Sequence, residues 1–327
     1  MRTAGLTAVY GRHRSLLINS LQCQTFPASR QSRGIFRFWL NAGRMSHRSA
    51  VTLMLLVTLL WSMAGVVTRH LEAADSFAVT FWRSLFNALA LGAVLTLRRG
   101  PALWIGLTRA PWPVWFSGIC WAIMFTAFMI ALTLTSVANV LLTMAIGPLI
   151  TALFTRLFLQ HRLPARTWLA IAIAGLGIAW MFGRDTQGSA STSGTLVALA
   201  VPLAAALNFT ILQYTGLRSA DSRADPPQGQ DMLSAVLIGA IVSSLSTLPL
   251  AYPLQASAHD LALLAILGVF QLAIPCLLLV SVSQVLPAAE IALLGLLEVI
   301  FGVTWAWLGA GETPAATTLS GGALVLA

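Results

Sequence analysis

Apolar residues in this chain fall into runs of about 20, separated by short polar gaps, the length that crosses a hydrocarbon layer of ~30 Å as an α-helix. Ten such runs are predicted, at 50–68, 77–97, 112–132, 138–159, 167–183, 194–215, 232–253, 260–281, 287–308 and 314–327. The tenth is short: at about 1.5 Å per residue it rises only about 21 Å. That helix is therefore expected to be clipped, strongly tilted or incomplete. The pattern predicts an all-α polytopic membrane protein.

Composition supports lipid as the solvent. Of 327 residues, 57% are hydrophobic and 9% charged, with a mean hydropathy of +0.83, whereas a soluble chain carries roughly 25% charged residues. A single buried core cannot absorb that much apolar surface. The net charge of +9 comes from 19 Arg without any Lys, a usage that hints at a GC-rich bacterial source. No gap interleaves basic and aromatic residues as a nucleic-acid surface would, so no nucleic-acid partner is expected. Cys23, Cys120 and Cys276 are scattered and odd in number, which gives neither a disulfide framework nor a metal cluster.

Arginine placement predicts the orientation. With the N-terminus inside, the inner side gathers Arg98, Arg99, Arg109, Arg156, Arg162, Arg166, Arg218 and Arg223, against Arg69 and Arg184 outside. Trp104, Trp112, Trp115 and Trp168 fall near the inner boundaries, where amphipathic rings are favoured. Both termini are expected on the cytoplasmic side of the cell inner membrane. Residues 1–49 form a basic extension with eight Arg and no acid. Three readings of it stand: a start assigned upstream of Met45-Ser46-His47-Arg48, a disordered basic tail, and an organellar transit peptide.

Residues 50–183 and 194–327 each hold five runs. One offset of 151 residues superposes 131–176 on 282–327, yet only six of 46 pairs are identical, Leu142/Leu293 and Thr167/Thr318 among them. The repeat rests on the spacing of runs and gaps. An odd number of spans per half makes the second half enter from the opposite side, giving two inverted five-helix repeats.

The order of motifs resembles a known family. Thr135-Ser136-Val137-Ala138-Asn139 leads to Gly147-Pro148 and Leu159-Gln160-His161-Arg162-Leu163; the second half holds Gly268-Val269-Phe270-Gln271, Leu286-Pro287-Ala288, Leu296-Leu297-Glu298-Val299, Trp305-Ala306-Trp307-Leu308, Gly311-Glu312 and Gly321-Gly322-Ala323. With Trp61 in the first run and Arg83 in the second, 50–327 resembles two copies of the EamA domain of the drug/metabolite transporter superfamily. The resemblance implies a ten-helix carrier that moves small metabolites, amino-acid-like ones included, by alternating access. Three departures stand out. Val299 replaces the proline expected after the acid of helix nine, so that helix should be less kinked; His161 replaces an acid at the end of helix four; and helix ten stops early.

Charges at membrane depth are the informative side chains, since each costs about 2.5–3.5 kcal/mol at a helix centre on insertion scales. Glu298, Glu290 and Arg83 qualify. Glu290 precedes Glu298 by eight residues, about 80° around the helix and about 12 Å along it, so both can face the bundle interior. A carboxylate there can exchange a proton or bind a cationic group; its structural alternative is a tie to backbone donors or a partner cation. Arg83 offers a counter-charge to an anionic solute or a glutamate, or else snorkels outward on its long stem. Asn139 and Gln271 can hydrogen-bond solute or join helices, and Trp61 can stack on solute or simply pack. Glu312 suits helix capping. His70, Glu72 and Asp75 read as an ordinary loop rather than a catalytic cluster.

No G-x-x-x-x-G-K-[ST] occurs, which points away from an ATP-driven pump. The leading expectation is a secondary transporter of a small solute, without a cofactor or metal, in contact with membrane lipid and open to homodimer formation. A channel or lipid flippase on the same scaffold is the alternative; an intramembrane enzyme stands further back, for want of a clustered nucleophile and base.

Overall fold

A computed structural model describes residues 45–68, 70–72, 75–135, 137–160, 163–182, 192–221, 232–310 and 320–324. The described secondary structure is entirely helical. In chain order it comprises α1 (His47–Trp61), α2 (Ala64–Thr68), α3 (Ser76–Arg99), α4 (Ala102–Thr108), α5 (Trp112–Leu134), α6 (Val137–Met144), α7 (Gly147–Phe158), α8 (Ala165–Phe182), α9 (Thr192–Asp221), α10 (Met232–Ala251), α11 (Ala258–Ile266), a π-helical segment (Leu267–Ala273), α12 (Ile274–Val282), α13 (Ala288–Gly295) and α14 (Leu297–Ala310). Seven stretches among the described residues are long and apolar enough to cross a membrane: His47–Thr68, Ser76–Arg99, Trp112–Ala131, Thr192–Leu217, Met232–Ala251, Ala258–Val282 and Ala288–Trp305. Their outer surfaces are greasy, with Leu97 86% exposed and Leu89, Leu203 and Leu245 exposed likewise, as a lipid-facing belt requires. The protein is a multi-pass membrane protein.

Seven of the ten predicted runs thus appear as full-length spans, and the other three explain themselves differently. Run four is two helices, because Pro148 has no N–H for the carbonyl four residues back and its ring crowds that turn; the backbone answers with the turn at Ala145-Ile146. Run five is α8, whose apolar stretch Ala165–Trp180 is shorter than the rest. Run ten falls almost entirely outside the described residues; 320–324 is helical, and Trp180 Nε1 donates to Ser320 Oγ at 3.0 Å. His161 and Glu312 also lie outside the described residues.

Helix ends follow local chemistry. Asp75 caps α3 by accepting from Ala78 N at 2.8 Å, and Gly100 closes it with φ +70°, a conformation glycine reaches without strain. Ser257 and Asp260 form a capping box on α11. Asp260 Oδ1 also accepts from Glu72 N at 2.9 Å, so one buried carboxylate ties the α2–α3 connection to the start of α11. Asp260→Ala removes the carboxylate half of the capping box and that tie together, leaving Ser257 Oγ to accept from the backbone N–H of residue 260. It is expected to cost about 1–2 kcal/mol, read as a lowered Tm in detergent; an unchanged Tm would show that the carboxylate does not hold these segments.

In lipid, helices gain little from hiding apolar surface from one another, so close packing and hydrogen bonds hold the bundle. The α3, α5 and α10 contacts show both devices. A Cβ on Gly118 would fall 2.6 Å from Ile238 Cγ2, and one on Gly239 would collide with Trp121 Cβ. Beside them Ser243 Oγ lies 2.9 Å from both Ser84 Oγ and Thr126 Oγ1. Ser117 Oγ donates to Asn208 Oδ1 at 2.5 Å, adding α9.

Candidate functional site

Around this scaffold the helices leave a cavity, about 1000 Å³ of space between atoms, counting the part open to its surroundings. Trp61, Arg83, Gln271 and Glu298 all line it. They come from four different segments (the end of α1, α3, the π-helical segment and α14), so no short stretch of sequence could have shown that they meet.

Arg83 is buried, 2% exposed, on α3. Its Nη2 donates to Phe125 O of α5 at 3.1 Å, while Nε has no hydrogen-bond partner among the described residues. The side chain therefore points into the bundle instead of snorkelling outward. Glu298 stands in the first turn of α14, where free backbone N–H groups and the helix dipole favour a carboxylate. The break that creates this helix start lies at Leu296, with tight three-residue bonds from Leu296 N to Leu293 O and from Val299 N to Leu296 O, both 3.1 Å. Replacement of the family's proline by Val299 predicted a straighter helix; the interruption forms nevertheless, through this tightened turn beside Gly295. Arg83 and Glu298, a base and an acid, line the same cavity.

Trp61 ends α1. Its carbonyl, released at the helix end, accepts from Gln271 Nε2 at 3.3 Å. Gln271 Oε1 has no partner among the described residues. The π-helical turn around Gln271 widens the backbone by one residue per turn, a feature that recurs where a helix must aim a side chain at a site.

The other two candidates sit apart from this group. Glu290, in the first turn of α13, pairs with His47 Nε2 at 3.0 Å and does not line the cavity. Asn139 is on α6, its side chain outside what the structure describes. Sequence reasoning missed the aromatic walls formed by Trp121, Phe125, Phe128 and Phe209. In uniformly apolar helices an aromatic ring facing a cavity reads like one packed in the core.

The described lining offers a cation, a carboxylate and an amide, held in a pocket otherwise largely apolar and aromatic, inside a bundle that spans the bilayer. Charged groups cluster at such depth where a polar solute must be met. These features define a membrane transporter. Residues 48–183 match the EamA-like transporter family. Along most of its length the chain is similar to transporters. Curated relatives include the pseudopaline exporter CntI from Pseudomonas aeruginosa strains UCBPP-PA14 and PAO1, each 22% identical over 284 residues, covering 85% of this chain and 94% of the relative. A crystal structure of a protein 20% identical superposes with a TM-score of 0.66, covering 86% of this chain and 95% of that one; this likeness speaks to the fold alone.

Proposed function

We propose that this protein is a secondary carrier that exports a small, amino-acid-like metabolite across the cell inner membrane by alternating access. The observation that carries the reading is the convergence of Arg83, Gln271 and Glu298 on one aromatic-lined cavity. A solute bearing both an anionic and a cationic group would place its carboxylate at Arg83 and its ammonium at Glu298, with apolar parts against Trp61, Trp121 and Phe125. The geometry matches an amphipathic zwitterion better than an inorganic ion, which would need a polar lining throughout. Export as the direction is supported by the Pseudomonas relative, a pseudopaline exporter.

The architecture that goes with this reading has ten spans in two inverted five-helix repeats, 50–183 and 194–327, with both termini cytoplasmic. Inverted halves allow one cavity to open alternately to each side. Asn139, the counterpart of Glu290 under the 151-residue offset, would then stand at the matching place in the first half. Glu298 would couple movement to a proton by gaining or losing it as the cavity changes sides.

Purified protein in proteoliposomes tests the reading. Under an imposed proton gradient, efflux of a zwitterionic amino acid mixture, followed by mass spectrometry, is expected to saturate with concentration and to collapse with the gradient. Flux that rises linearly with solute would favour a channel on the same scaffold and remove the carrier.

A further inference from the structure

A second concavity, unconnected with the solute cavity by any shared lining residue, lies where α3, α4, α5 and α10 meet. It encloses about 800 Å³ including its open part, and Arg99, Leu103, Arg109, Val114 and Ser234 are among its walls. Its described lining holds two arginines and no acid. Ser234 Oγ accepts from Arg99 Nη1 at 3.1 Å, which fixes that guanidinium against the wall. Arg109 is exposed in the α4–α5 connection.

The rim has the opposite character. The short helix α4 buries Leu103 and Leu107 on one side, yet its other side presents Trp104 and Ile105, the latter 62% exposed. Trp104 is seated against α3, its ring 3.7 Å from where a Cβ on Gly92 would stand. Trp112, 64% exposed, and Trp115 continue this surface at the start of α5. A helix apolar on both faces does not suit water on either; it suits the boundary between acyl chains and headgroups, where tryptophan is favoured. Two guanidinium groups lining one concavity just inside such a boundary match a phosphate.

We infer that this concavity is a binding site for an anionic phospholipid, with the phosphate between Arg99 and Arg109 and the acyl chains along Trp104, Ile105 and Trp112. Charge complementarity selects the headgroup, and the greasy rim selects a lipid over a free phosphate ion. The site stands independently of the transport reading, because it shares no residue with the solute cavity and concerns the protein's own surroundings.

Native mass spectrometry and thermal unfolding of the detergent-purified protein provide the test. Dioleoylphosphatidylglycerol is expected to stay bound and to raise the Tm, whereas dioleoylphosphatidylcholine does so less. Arg109→Gln, at an exposed position that should not disturb folding, is expected to weaken phosphatidylglycerol binding about fivefold, as loss of one cation near an anionic lipid surface predicts. Arg156→Gln, which removes an exposed arginine on α7, is expected to leave it unchanged. Equal retention of the two lipids, or equal loss in both variants, would overturn the site. Displacement of the lipid by millimolar inorganic phosphate would reassign it to a free anion and overturn the lipid proposal.

Discussion

Glu298→Gln is expected to abolish gradient-coupled transport while leaving the protein folded and inserted. Glutamine keeps the size and one carbonyl oxygen of glutamate, so the packing of α14 against the cavity changes little. What disappears is the group able to carry a proton or a negative charge within the lining it shares with Arg83. A hydrogen bond to a charged group contributes about 1.5–3 kcal/mol, so solute affinity should fall roughly 10- to 100-fold even without a gradient. Two measurements separate the effects: counterflow exchange between equal internal and external solute, which needs no coupling, and uphill movement driven by a proton gradient. Loss of both assigns Glu298 to solute binding, and loss of only the uphill mode assigns it to coupling. A variant with wild-type rates in both modes would remove Glu298 from the mechanism.

Gly268→Ala should produce the other large effect, through packing. A Cβ at this position would lie 2.6 Å from Phe86 Cβ, 2.7 Å from Arg83 O and 2.9 Å from Asn87 N. Two of these three neighbours are backbone atoms, which cannot rotate away, so α3 and the π-helical segment must separate. Over-packing of this kind costs about 1–3 kcal/mol. Here the strained contact includes the carbonyl of Arg83 itself, and its guanidinium should shift within the cavity. The expected result is a lowered Tm together with weakened solute binding. Gly175→Ala is the companion, because a methyl group there on α8 would meet nothing within 4 Å; it should be neutral or stabilising by up to about 1 kcal/mol. If Gly268→Ala unfolds no earlier than the wild type, the close approach of these segments is not what holds Arg83 in place.

The two variants probe different kinds of information. Glu298 and Arg83 stand out in the bare sequence, since a charge inside an apolar run is expensive and calls for a reason. Gly268 does not stand out, because its role exists only where another segment presses against it.

The same division runs through the whole protein. Run length and the scarcity of charge determined by themselves that the chain is a bundle of membrane helices, because a bilayer leaves the backbone few alternatives there. The insertion cost of ionisable groups likewise marked Arg83 and Glu298. Tertiary structure decided which candidates share a cavity. It brought Trp61, Arg83, Gln271 and Glu298 together from segments far apart in sequence, and it sent Glu290 to His47 instead. It also decided where helices break: Pro148 announced one interruption, but the turn at Leu296 and the π-helical segment around Gln271 carry no proline at the break itself. The physical reason is that hydropathy sets a segment's medium, which is a property of the segment alone. Which face of it meets a solute, a neighbour or lipid depends on helix rotation and on contacts between distant residues, and in a uniformly apolar helix no polar stripe records that rotation.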